Sequence, residues 1–205
     1  MIFQDHIWNW ENLPGKITSI QLKGLDNQKL KITLLNSYTG FDLELVDQLN
    51  GAKYTIDERG YFKESWNQWK FNSIIGSNEV FVQDNHSFSY KGVLRGMHYQ
   101  RAPMEQGKLL RCIKGKIFDV LLDIRKDSQT NMKWIGLELD SNNNEQLWIP
   151  KGFAHGFLTL TDEAEVQYKT TEYWSKDHEK TIKWNDPKIG INWPIYSYFG
   201  IIPLN

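Results

Sequence analysis

Between residues 80 and 171 the chain is a relay of short apolar runs separated by glycine or polar turns. Val80–Asn85, Lys108–Ile113, Ile117–Arg125, Lys133–Leu139, Gln146–Ile149, Phe157–Leu160 and Ala164–Thr171 each have strand length and strand composition. In the last of these, Val166, Tyr168 and Thr170 fall on one face. Many short strands at regular spacing, with few segments long enough for a helix, restrict the fold to an all-β sandwich or jelly roll. Lys114-Gly115-Lys116 reads as a hairpin between two of the runs. One helix is expected, over residues 67–75: Trp66, Trp69 or Lys70, and Ile74 are at helical spacing, and Gly76 ends it.

The first 50 residues have a different texture. Asn12-Leu-Pro-Gly15 is a turn, Lys29–Leu35 and Phe41–Val46 alternate like strands, and Gly24, Asp26-Asn27 and Asn36-Ser37 mark breaks. They carry no chemical motif and read as a β-rich extension (1–50) that covers a sheet edge or extends a dimer contact, ahead of the main domain (51–205).

Net charge is −1 with dispersed cations, which removes the basic face that nucleic acid requires. No apolar run reaches the roughly 18 residues of a membrane span, and the acidic, aromatic start is unlike a signal peptide, so a cytoplasmic protein without membrane contact is expected. The single Cys112 can form neither an intrachain disulfide nor a zinc site and reads as a small buried hydrophobe. Nine Trp demand a wide sheet interior or a ring-stacking groove.

Chemistry concentrates at Lys91-Gly-Val-Leu-Arg-Gly-Met-His-Tyr-Gln100 and Glu105-Gln-Gly-Lys-Leu109. His98 and His155 sit beside glycines at strand ends, where a backbone can approach a ligand closely; His86 reads as structural, and His6 and His178 as exposed. His98 lacks the His-x-His partner of metal-binding jelly rolls, which argues against a metal. Alternation puts Lys108 on the face of Leu110 and Cys112, where a buried ammonium needs a partner such as Asp119. Tyr168 faces inward as a proton donor or as a core tyrosine.

Asp57-Glu-Arg-Gly-Tyr-Phe62, Phe81-Val-Gln-Asp-Asn-His-Ser87, Val93-Leu-Arg-Gly-Met-His-Tyr-Gln100, Gln106-Gly-Lys-Leu109, Leu147-Trp-Ile-Pro-Lys-Gly-Phe-Ala-His-Gly-Phe157, Tyr168-Lys-Thr-Thr171 and Trp184-Asn-Asp-Pro187 occur in order. Together, over about residues 50 to 195, they resemble the dTDP-4-dehydrorhamnose 3,5-epimerase family of metal-independent cupins. The resemblance implies a double-stranded β-helix, a homodimer, no cofactor and a dTDP-4-keto-6-deoxyhexose substrate of dTDP-rhamnose-type biosynthesis. It implies His98 as base, Tyr168 as acid on the opposite face, Lys108 at the developing oxyanion and His155 positioning the sugar. Arg59 and Arg95 would meet the diphosphate, Trp174 would stack on the base, and Phe62, Glu64, Gln83, Asn85 and Glu179 would line the site. The resemblance also implies a Ser-x-Lys-Asp segment whose Asp partners the catalytic His; no such segment is found here, its Asp would by count fall near Asn205, and Asp186 and Asp119 are the carboxylates considered in its place. This leaves room for an enzyme that epimerises only C3 or C5 of a related sugar nucleotide, or for a non-catalytic nucleotide-sugar-binding cupin.

Overall fold

The structure is a computed structural model. It describes residues 55–142 and 145–195, with strand backbone also at 19–25, 29–35, 41–46 and 202–204. His6, the turn at 12–15, the breaks at 26–27 and 36–37, and Asn205 lie outside the described residues.

Two sheets make up the molecule. The first contains seven strands in the order β1 (Ser19–Leu25), β2 (Lys29–Leu35), β3 (Phe41–Val46), β11 (Gln146–Ile149), β8 (Lys108–Lys114), β13 (Glu163–Thr170) and β6 (Gln83–Tyr90). The second runs β10 (Trp134–Asp140), β9 (Lys116–Asp123), β12 (Phe153–Thr159), β7 (Val93–Gln100) and β14 (Glu179–Thr181), with β15 (Ile202–Leu204) parallel to β7. A small hairpin joins β4 (Thr55–Asp57) to β5 (Gly60–Phe62). The all-β expectation holds, and β3 takes the edge of β11 through Leu147↔Leu45.

Period-two alternation sorts side chains between the layers. Leu110, Cys112, Leu147, Ile149, Ala164 and Val166 from the first sheet meet Ile117, Leu121, Ile135, Leu137, Leu139, Phe153 and Phe157 from the second. Each of these large side chains, once fully buried, stabilises the fold by about 1.5–3 kcal/mol. The opposite parity faces outward. On the first sheet Leu109 and Trp148 pack against Phe71 and Ile74 of α1 (Gln68–Ile75). On the second, Leu94, Met97, Val120, Leu122, Ala154 and Leu158 lie beneath Ile182, Trp184, Ile189, Ile191 and Trp193.

The helix begins where the Asn67 side chain accepts a hydrogen bond from the Lys70 amide, and it stops at Gly76 in the left-handed conformation (φ 70°). Its buried face is Phe71 and Ile74; Trp69, one of the spaced aromatics, points to solvent. The turn at Gly115 is not a hairpin. β8 and β9 belong to different sheets, so the chain turns a corner there. At Gly115 φ is 72°, and a Cβ would lie 2.2 Å from the Glu163 carbonyl oxygen, so only glycine fits the corner. Among the described residues no helix is long and apolar enough to cross a membrane.

Candidate active site

His98, Lys108 and Tyr168 come together at one end of the sandwich because three strands bring their termini there. His98 lies near the end of β7, between His155 on β12 and Thr181 on β14 in register. Lys108 opens β8 and Tyr168 is near the end of β13; they pair with Thr170 and Leu110 respectively. Tyr168 packs on the inner core cluster. Asn85 on β6 sits opposite Tyr168, and Gln83 opposite Thr170. The second sheet thus supplies the histidines and the first supplies the lysine and the tyrosine.

A β-bulge aims the base. Between β12 and β7, His155 pairs with His98 but Phe157 pairs with Arg95, so two steps on β12 span three on β7. Leu94 and Met97, three apart, therefore share the outer cluster, while Arg95 and His98 share the other face. Gly96 allows this at φ 125°, with room for no side chain: a Cβ would fall 2.5 Å from the Gly156 Cα.

The electrostatics follow from the burial. Burial lowers the His98 pKa below its usual 6.5; Glu179 opposes the shift, while Lys108, His155 and Arg95 add to it. The ring is therefore a neutral base at pH 7. Burial also pushes the Lys108 ammonium down to about 8, although Asp119 and Glu179 pull it up. Tyr168 is raised, first by burial and further by Glu179 against the pull of Arg95, so its hydroxyl keeps its proton. The result is a proton acceptor, a proton donor and a cation within one electrostatic neighbourhood.

Surrounding groups hold these in place. His155 Nε2 lies 2.8 Å from Asp119 Oδ2, and both are buried. Asp119 thus bonds the second histidine and acts on Lys108 through its charge. Asp186 accepts from the Lys188 amide at 2.9 Å and closes its own turn. Arg95 donates to Ser89 Oγ and the Phe88 carbonyl. Gln83 donates to Asn85 Oδ1 and accepts from the Trp174 amide, so the exposed Trp174 ring hangs from a residue of the wall.

Three expected site residues belong to the β4–β5 hairpin and the segment after it. Arg59 occupies the exposed turn of the β4–β5 hairpin, and Phe62 is 74 % exposed. Glu64 is taken up by Lys70 and Asn67 at the start of α1. Cys112 is buried, and burial raises its thiol to about 11, as a packing residue requires. His86 faces outward against Glu165, and His178 accepts or donates at Ser175 Oγ. Thr181 and the anchoring role of Gln100 escaped the sequence reading, because β14 is three residues long and shows no periodicity. Among the described residues no three His, Cys, Asp or Glu are grouped to hold a metal ion.

Comparison with known proteins identifies the family and the fold. The sequence model of the dTDP-4-dehydrorhamnose 3,5-epimerase family matches residues 49–202. A dTDP-4-dehydrorhamnose 3,5-epimerase of Shigella flexneri is 57 % identical over 139 residues, 68 % of this chain and 77 % of that protein. A 3,5-epimerase from Legionella pneumophila, solved with dTDP-4-keto-L-rhamnose, superposes with TM-score 0.73 at 41 % identity, covering 82 % of this chain and 86 % of its own. The dTDP-4-dehydrorhamnose 3,5-epimerase of Bacillus anthracis, solved with TDP and pyrophosphate, gives TM-score 0.72 at 37 % identity, with 91 % and 95 % covered.

Proposed function

The chain belongs to the dTDP-4-dehydrorhamnose 3,5-epimerase family, and from that premise we propose that it inverts C3 and C5 of a dTDP-4-keto-6-deoxyhexose. The 4-keto group acidifies the hydrogens on both neighbouring carbons. Each inversion removes one proton from one face and returns one to the other, through an enolate. His98 accepts the proton, and its lowered pKa supports this role because the neutral ring predominates at pH 7. Tyr168 donates to the opposite face and is reprotonated from solvent. Lys108 faces the 4-oxygen as charge develops there; removing such a donor typically costs about 10²–10³ in turnover.

Around this centre His155, fixed by Asp119, orients the sugar. Arg95 and Arg59 take the diphosphate, where guanidinium geometry suits paired oxygens. Trp174 stacks on the base, and Phe62, Glu64, Gln83, Asn85 and Glu179 complete the lining. We read residues 51–205 as the catalytic domain and 1–50 as an extension of its sheet. The assembly is a homodimer, supported by the edge position of β6 and its outward Phe88 and Tyr90. A reducing cytoplasm suits the buried thiol of Cys112.

The observation that carries the reading is the convergence of a neutral histidine, a protonated tyrosine and a buried cation at one end of two sheets. Proton NMR of dTDP-4-keto-6-deoxyglucose in D₂O tests it. Loss of both C3 and C5 hydrogen signals with the protein, abolished by His98→Ala, is the expected result. Loss at one carbon identifies a single-position epimerase. Binding without exchange overturns the enzyme reading in favour of a nucleotide-sugar-binding cupin.

A further inference from the structure

We infer that Glu179 is the positioning carboxylate of His98, acting with Thr181 on its Nδ1 side; this rests on the reading of His98 as the base. Glu179 and Thr181 are two apart on β14, so they share a face, and in register Thr181 lies beside His98 and Glu179 beside Gln100. Glu179 Oε1 is 3.9 Å from His98 Nδ1, within ion-pair reach but beyond a hydrogen bond, and Thr181 Oγ1 is 3.3 Å from the same nitrogen.

The chemistry of the two partners decides the tautomer. A carboxylate only accepts, so an anion on the Nδ1 side favours the ring that carries its hydrogen there. That leaves the Nε2 lone pair to take the substrate proton. Once it has done so, the imidazolium faces Arg95 on its own strand, His155 on β12 and Lys108 on β8, all of which disfavour a positive charge. Tyr168 on β13 is neutral, and Asp119 on β9 is bonded to His155. Among the described residues Glu179 is the anion in ion-pair contact with the ring.

The placement of Glu179 is built in. Gln100, two residues beyond His98, accepts from the Ser175 amide at 2.6 Å and donates to the carbonyls of Met104 and Tyr173. The Ser175 carbonyl in turn accepts from the Glu179 amide at 2.9 Å. One strand therefore carries the base and also fixes the segment that brings its carboxylate.

The test is an NMR pH titration of His98 in the substrate-free protein, with the ring assigned by its loss in His98→Ala. Glu179→Gln keeps the side chain's size and removes its charge. His98 should then titrate about one pH unit lower, its nitrogen shifts should move away from the Nδ1–H tautomer, and the acid limb of solvent exchange should follow. Glu179→Asp should restore most of the shift. An unchanged titration and tautomer in folded Glu179→Gln would overturn the inference, whatever that variant does to substrate affinity. A shifted ring in a protein that exchanges no sugar hydrogen would instead overturn the epimerase reading and leave the charge pairing standing.

Discussion

Replacing Lys108 with Met should make the protein more stable while it removes activity. The Lys108 side chain is buried, and desolvation is the largest influence on its charge, outweighing the attraction of Asp119 and Glu179. Its pKa falls from the ordinary 10.5 to about 8. The unfolded chain thus holds a proton more tightly than the folded one. The penalty is fully present below pH 8, declines as pH rises from there, and is gone above about 10.5. At pH 7 this corresponds to about 3 kcal/mol. Methionine has a similar unbranched stem and no charge to desolvate, so urea unfolding at pH 7 should show Lys108→Met more stable by about that amount. At pH 10 the difference should shrink to about 1 kcal/mol. Exchange of sugar hydrogens should meanwhile fall by about 10²–10³, a trade of activity for stability at a strained site. A variant no more stable than the parent at pH 7, or one whose advantage persists unchanged at pH 10, would refute the claim that burial dominates Lys108.

Solvent exchange catalysed by the parent protein should follow a bell in kcat/KM, rising as His98 deprotonates below pH 6.5 and falling as Lys108 loses its proton at about 8; a flat profile across pH 8 would separate Lys108 from the reaction. Asp123 is fully buried; burial alone would raise its carboxyl, but hydrogen bonds from Arg125, Ser128 and Thr130 outweigh it and bring the pKa down to about 2. That stability is present above about pH 3.8 and is lost as pH falls through about 2, so Asp123→Asn should cost about 2 kcal/mol at pH 7 and little near pH 2, read by denaturant melts. Gly156→Ala would set a Cβ 2.8 Å from both the Arg95 carbonyl oxygen and Met97 Sδ. It should lower stability by about 1–3 kcal/mol in a thermal melt and reduce exchange by displacing β7.

The sequence made most of the sandwich legible because its strands obey one rule. In β13, Ala164, Val166 and Tyr168 face the core, and in β8 Leu110 and Cys112 do so, which places Lys108 inward as read. The helix was legible from its apolar spacing and from Gly76, the residue with a conformational job at its end, while the Asn67 cap emerged from the structure. The corner at Gly115 was not. A glycine between two strands marks a reversal, but whether the second strand pairs with the first or crosses to the other sheet depends on partners far away: β13 beside β8, and β12 and β10 beside β9. Arg59 and Phe62 belong to a separate hairpin, and Glu64 to the segment after it.

What most escaped the sequence is the bulge in β7, and it is what assembles the site. Strict alternation would put Arg95 and His98 on opposite faces. One of them would then lie beneath the cover formed by Trp184, Ile189 and Trp193 on the outer side of this sheet. The extra residue at Gly96 turns a three-residue separation into a shared face. It returns to ordinary alternation afterwards, so that Gln100 follows His98 inward and reaches the segment carrying Trp174 and Glu179. Deleting Gly96 would leave Arg95 and His98 two apart, on one face of a regular strand and in step with Gln100, so the bulge is what reconciles their three-residue spacing with a shared face. Whatever the chemistry performed there, a strand that must present a cation, a histidine and an anchoring amide to one face over six residues cannot remain regular.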